Sequence, residues 1–172
     1  RPADQNETIE RWDIALRNRK TPSVLALTRQ NLKPVRNNFT KKNKCSMGAY
    51  EVLRTGKKIK LTIVASGSEV NLAIETSHNL AKQKIYSKVI SMPCQEIFDN
   101  QSTAYKNKIL KESKNIFAIE AGSNMSWEKY IEKGLTFSIE EFGKSAPYKT
   151  IYNHFGLTSE KIGKKIKLYI KE

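Results

Sequence analysis

The chain has 172 residues, 38% hydrophobic and 28% charged, with 31 Lys and Arg against 17 Asp and Glu for a formal net charge of +14. That length supports one good-sized core, or one domain plus part of another. Two cysteines without CxxC spacing and two histidines argue against a His/Cys metal site, and no segment has membrane-span length or reads as a signal peptide.

The charge is uneven. Residues 1–45 carry 11 basic and 4 acidic side chains, whereas 46–172 carry 20 and 13, and every Arg lies at or before position 54. After position 55 the lysines stand singly or in pairs such as Lys57-Lys58 and Lys164-Lys165, among Glu and apolar residues. That spacing suits solvated helix faces. Nucleic-acid binding needs a clustered footprint, so no nucleic-acid partner is expected. Two unpaired thiols, Cys45 and Cys94, suit a reducing, cytoplasmic setting. The start at Arg1-Pro2, with no initiator Met, is expected of a piece of something longer.

In chain order, Asp4-Gln5-Asn6-Glu7 signals a helix start, and Ile9, Trp12 and Leu16 then recur at helical spacing. Thr21-Pro22-Ser23 ends that helix. Val24-Leu25-Ala26-Leu27 has no polar face and is too short for an ordinary helix, which predicts a strand buried on both sides. One helix and one strand cannot close a core, so residues 1–32 must lean on other sequence or on a partner. Residues 33–44 hold five positive charges, no acid and little apolar content, the composition of an exposed basic linker.

From Gly48 the pattern becomes regular. An edge strand over 49–53 precedes a β-rich strand over 60–65, a turn at Ser66-Gly67-Ser68, and a helix with a Val70, Ala73, Ile74, Ser77, Leu80, Ala81 stripe. A strand over 87–92 stops at Pro93, and a short helical region follows around 95–110. A central strand over 116–119 ends in Glu120-Ala121-Gly122. A helix near 127–131, a strand near 135–139 and a short helix from Ala146-Pro147 to about His154 come next. Thr158 caps the last helix, whose stripe is Ile162, Ile166, Tyr169 and Ile170. The alternation predicts an α/β fold: three layers, a mostly parallel sheet with helices on both faces, preceded by a helix-strand remnant of another α/β domain.

Arg29 is the sharpest chemical candidate. Ligands of α/β proteins collect beyond the carboxyl ends of parallel strands, and a guanidinium there can hold a phosphate through two parallel hydrogen bonds. A solvated or carboxylate-paired Arg is the blander alternative. Ser66-Gly67-Ser68-Glu69 matches no phosphate-loop pattern, and Glu69 would repel an anion, so it reads as a plain βα turn. Glu120 and the Glu140-Glu141 pair read as structural, since adjacent strand residues face opposite ways. Neither His78 nor His154 has an evident catalytic partner. No catalytic residue is assigned.

Several stretches then resemble the transketolase family: RPADQNE (Arg1–Glu7), TPSVLALTRQNL (Thr21–Leu32), GAYEVL (Gly48–Leu53), ASGSEVNLA (Ala65–Ala73) and VISMPCQEIFDNQSTAY (Val89–Tyr105). EAG (Glu120–Gly122), WEKY (Trp127–Tyr130), FGKSAP (Phe142–Pro147) and FGLTSEKI (Phe155–Ile162) complete the series. Two positions depart from the family's usual pattern, Thr28 for Ser and Ser66 for Thr, and neither removes a hydroxyl.

The resemblance implies the end of a pyrimidine-binding domain at 1–32, an interdomain linker at 33–45 and a transketolase C-terminal domain at 46–172. It also implies a homodimeric enzyme of the pentose phosphate pathway. That enzyme moves a two-carbon ketol unit between sugar phosphates with thiamine diphosphate and a divalent cation, Mg or Ca. The family's cofactor, metal and proton-handling positions lie outside this chain, which is expected to bind no cofactor and to be inactive alone. One position carries over: the Arg of the family's SRQ motif, which contacts the substrate phosphate, falls on Arg29. The alternatives are a related thiamine-diphosphate enzyme, or a non-enzymatic module using the basic linker.

Overall fold

The computed structural model describes residues 1–38 and 40–171. Its centre is a five-stranded sheet in the order β1-β3-β2-β4-β5: β1 Tyr50–Arg54, β2 Leu61–Ala65, β3 Ser87–Ser91, β4 Ile116–Ile119 and β5 Thr136–Phe137. β3, β2, β4 and β5 run parallel, while β1 pairs antiparallel on the edge of β3. The strands predicted after Gly48 are present, with β5 shortened to two residues.

Both faces of the sheet are covered, and the alternation along β2 shows how. Leu61, Ile63 and Ala65 face a core closed by α2 (Glu69–Ala81) and α6 (Ser159–Tyr169). Val64 faces the opposite core, closed by α3 (Gln95–Asp99), α4 (Thr103–Leu110), Trp127 and Tyr130. This is why every residue of β2, β3 and β4 is buried: a parallel strand with helices on both sides has no solvent side. The α6 stripe is buried as its spacing predicts, with Ile162 and Ile166 both at 0% exposure. Each such side chain contributes about 2 kcal/mol by leaving water. The helix expected near 127–131 is instead two 3₁₀ turns, Asn124–Ser126 and Glu128–Tyr130. They let Trp127 drop fully into the core between them.

Gly48 shows the fit at the start of this body. Its φ is +81°, and a Cβ there would lie 2.2 Å from the Phe98 backbone nitrogen. Only glycine allows α3 to approach that closely.

The first helix, α1 (Gln5–Arg17), forms where predicted, with Asp4 capping the Glu7 N–H at 2.8 Å. Its apolar stripe does not meet this sheet: Ile9, Trp12 and Leu16 are half or more exposed. The helix docks by its polar side. Glu7 is fully buried and accepts from Ala3 N at 2.7 Å, Tyr50 Oη at 2.7 Å and Ser91 Oγ at 2.6 Å.

The expected buried strand at 24–27 is corrected. The segment forms no strand, and Val24 is 92% exposed. Its apolar run needs neighbouring strands to supply hydrogen bonds and cover, and no described strand lies beside it.

The basic segment after it is tied down at several points. Asn71 Nδ2 donates to the Lys33 carbonyl at 3.2 Å, Val35 N donates to Asp4 Oδ2 at 2.8 Å, and Cys45 N donates to Glu10 Oε2 at 2.9 Å. Arg36 pairs with Glu10 at 2.8 Å and lies 5.2 Å from the centre of the Tyr50 ring, which commits one of the five charges to the fold.

Candidate functional site

In an open α/β sheet the default ligand position is the crevice at the carboxyl ends of the strands, where the chain order reverses. Here that point lies between β2 and β4, because β2 is followed by β3 on one side and β4 returns to the other. The residues at the crevice are the Ser66-Gly67-Ser68 turn, Glu69 in the first turn of α2, and Glu120 at the tip of β4. Gly67 adopts φ +58°, which turns the chain sharply from strand into helix.

Residues 1–3 fill this crevice. The Arg1 backbone nitrogen donates to the Pro93 carbonyl at 2.8 Å, and Gly67 N donates to the Arg1 carbonyl at 3.1 Å. The Arg1 guanidinium then bridges two carboxylates, Glu69 at 2.5 Å and Glu120. Glu69 is 0% and Glu120 8% exposed. Burial works against the Arg1 charge, but the two carboxylates outweigh it and hold the guanidinium above its ordinary pKa.

Each acid has a second donor. Trp127 Nε1 donates to Glu120 Oε2 at 3.0 Å, and Tyr152 Oη donates to Glu69 Oε1 at 2.6 Å. The Tyr152 phenol is pushed up to about 12, by burial first and then by Glu69, while the Ser68 and Gln30 side chains at its hydroxyl pull the other way. The carboxylates at this turn are thus engaged by the protein's own arginine, which occupies the crevice.

Arg29 takes no part in this network. It is exposed, and its guanidinium meets no carboxylate among the described residues. Thr28, Gln30 and Asn31 border a cavity of about 300 Å³ against Pro2, Asp4 and Thr8. Gln30 N donates to Thr28 Oγ1 at 3.1 Å, which curls the chain just at Arg29. What this arrangement offers chemically is a cation presented to solvent on a short loop whose neighbours are held.

The remaining candidates do not converge. Glu140 accepts from Asn124 N at 2.7 Å and braces a 3₁₀ turn, while Glu141 is exposed, so the two make no acid pair. His78 and His154 are both exposed, on different helices. Cys45 is buried and burial pushes its thiol up. Among the described residues no group of three His, Cys, Asp or Glu could hold a metal ion. No described helix is long and apolar enough to cross a membrane.

The sequence reading noted Glu69 and Glu120 separately but missed Arg1 as their shared partner; it saw Glu7 only as part of a helix-start signal and missed Tyr152. A carboxylate at the turn after one strand and another at the tip of the next central strand is the signal that could have paired them.

Comparison with known proteins agrees with this architecture. The family described as "Transketolase-like TK C-terminal domain" matches residues 48–158. The chain is 39% identical over 174 residues to a transketolase of Rhodobacter capsulatus and 42% identical over 171 residues to one of Staphylococcus epidermidis. Each match covers 97% of this chain and 26% of the relative. Among solved structures, a transketolase from Leishmania mexicana superposes with a TM-score of 0.90 at 37% identity, covering 99% of this chain and 25% of that one. A Pichia stipitis transketolase described as a complex with sedoheptulose-7-phosphate gives 0.90 at 35% identity, with the same coverage. The chain thus spans about a quarter of the length of the relatives it matches. On the family match and the shared fold, this chain belongs to the transketolase family, as its C-terminal portion.

Proposed function

We propose that this chain is the C-terminal part of a thiamine-diphosphate-dependent transketolase, in which Arg29 grips the phosphate of a sugar substrate. The whole enzyme moves a two-carbon ketol unit from a ketose phosphate to an aldose phosphate in the pentose phosphate pathway, as a cytoplasmic homodimer. Residues 1–32 belong to its pyrimidine-binding domain, 33–45 to the linker and 46–172 to the C-terminal domain.

The observation that carries this reading is Arg29 itself: an exposed guanidinium with no carboxylate at it among the described residues, on a loop whose C-terminal flank is tied to the folded body at Lys33 and Val35. A phosphate oxyanion suits that geometry, because a guanidinium offers two parallel donors and stays charged at every physiological pH. The relative solved with a sugar phosphate supports the substrate class.

Thiamine diphosphate and its cation, Mg²⁺ or Ca²⁺, are assigned in this reading to the remainder of the enzyme; among the described residues no group of three His, Cys, Asp or Glu could hold the ion. This chain's share is to bind and orient the phosphate end of the substrate.

The test is Arg29→Ala in the full-length enzyme. The KM for a phosphorylated ketose donor should rise by about a hundredfold, the worth of a lost charge-assisted bidentate pair, with little change in kcat. An unchanged KM would remove Arg29 from the substrate site.

A further inference from the structure

We infer that the crevice at the carboxyl ends of β2 and β4 is a guanidinium-binding site, built by the C-terminal body and filled from outside that body by the Arg1 side chain. With that side chain removed, the site takes a small guanidinium ligand from solution. The inference stands on the crevice alone and does not depend on the reading of Arg29.

The two acids divide their oxygens between the body and its guest. Glu69 Oε1 accepts from Tyr152 Oη and from Ser68 Oγ, both at 2.6 Å, and Glu120 Oε2 accepts from Trp127 Nε1 at 3.0 Å. These donors come from α5 (Tyr148–His154), from the turn before α2 and from between the two 3₁₀ turns. The body therefore fixes both carboxylates by contacts of its own. One oxygen of each acid is left for the guest. Glu69 Oε2 meets Arg1 Nη2 at 2.5 Å, and Glu120 Oε1 meets Arg1 Nη1. Two nitrogens of one planar fork answer two acids on different elements, which the single nitrogen of an ammonium does poorly.

The slot is shaped for that fork. Gly67 leaves the room, since a Cβ there would crowd Arg1 Nε at 3.3 Å and Nη2 at 3.4 Å. The main chain of the guest is held separately. Gly67 N donates to the Arg1 carbonyl at 3.1 Å, and the Arg1 nitrogen donates to the Pro93 carbonyl at 2.8 Å. Those two contacts do not need the side chain, so Arg1→Ala empties the guanidinium slot and leaves the backbone of the guest in place.

The empty slot has both a driving force and an entrance. Glu69 is 0% and Glu120 8% exposed, so without a cation two carboxylates stay buried and uncompensated, a penalty that an entering guanidinium removes. The Arg1 side chain is 36% exposed, and it lines with Glu120 a cavity of about 370 Å³. In the parent the tethered Arg1 acts at high effective concentration and excludes a free competitor.

The test titrates the full-length protein carrying Arg1→Ala with ethylguanidinium and, separately, with ethylammonium. Ethylguanidinium should bind one site per chain in calorimetry with a dissociation constant of about 1 mM, and should raise the thermal midpoint saturably. Ethylammonium should bind about tenfold more weakly, because one nitrogen cannot serve both acids. The parent should bind neither ion at this site, and Arg1→Ala combined with Glu69→Gln should lose the response. No binding to folded Arg1→Ala, equal binding of the two cations, or binding that survives Glu69→Gln would each overturn the site. Should Arg1→Ala not fold unaided, its recovery from urea decides the question. Ethylguanidinium at millimolar concentration should restore folded protein where ethylammonium does not, and equal or absent recovery overturns the inference.

Discussion

Arg1 Nη2 lies 2.5 Å from Glu69 Oε2, although 68 positions separate the two residues in sequence. The same guanidinium reaches Glu120, so one cation neutralises two carboxylates that have almost no water. Removing it would leave both acids buried and uncompensated. Arg1→Ala should therefore lower the unfolding free energy of the chain by about 2 kcal/mol, a modest figure for a broken buried pair because Arg1 keeps 36% of its own exposure. The urea midpoint of the variant against the parent checks it. Arg1→Lys should recover only part, since an ammonium cannot span both acids as a planar fork does.

Glu7 is the second anchor of the N-terminal segment. Glu7→Ala strands the Ala3 N–H, the Tyr50 hydroxyl and the Ser91 hydroxyl in a buried site. The expected cost is about 3 kcal/mol, within the range for stranding several buried donors at once. Hydrogen exchange should locate the damage: amides of α1 should lose protection while those of β2 and β4 keep theirs. Uniform loss across the sheet would mean that α1 is not a separately docked element.

The acid side of the stability profile should be governed by Glu112. Hydrogen bonds from Arg54 hold its pKa down at about 2, burial opposes them, and Lys88 adds to the lowering. A depressed folded pKa means that the unfolded chain takes up its proton first. The stabilisation is then full above the ordinary carboxylate value and is lost as pH falls toward about 2. Because Glu112 is 36% exposed, screening reduces the effect to on the order of 1 kcal/mol. Glu7 acts in the opposite sense. Burial raises its pKa, so its contribution declines as pH rises above the ordinary carboxylate value. Unfolding midpoints of Glu112→Gln and the parent should converge below pH 3 and separate above pH 5. Parallel curves would show that Arg54 and Lys88 do not perturb Glu112.

The isolated 172-residue chain should bind sugar phosphates negligibly, because Arg29 contributes one side chain of a site whose other groups lie elsewhere in the proposed enzyme. Calorimetry at millimolar ligand is the measurement. Binding that disappears in Arg29→Ala would show that this chain holds most of the phosphate site by itself.

Much of the architecture follows from local pattern. Val64 and Ile63 point to opposite helical layers because successive strand residues alternate, and the stretch 61–65, apolar but for Thr62 and buried throughout, suits a strand covered on both sides. Ile162 and Ile166 repeat at helical spacing behind the Thr158 cap, which determined both the existence and the buried face of α6. The same reasoning misjudged Val24 to Leu27, and it placed Ile9, Trp12 and Leu16 on a helix without saying what covers them. Their apolar pattern says that they need cover and does not say which surface provides it.

The Arg1–Glu69–Glu120 bridge, the burial of Glu7 and the hydrogen bond from Tyr152 to Glu69 were decided only by tertiary structure. Each joins residues far apart in the chain, and each is a contact of charge or hydrogen bonding, which leaves no period in the sequence. Hydrophobic patterning records which face of an element leaves water. Which polar groups then meet in the space that remains depends on how the packed elements close.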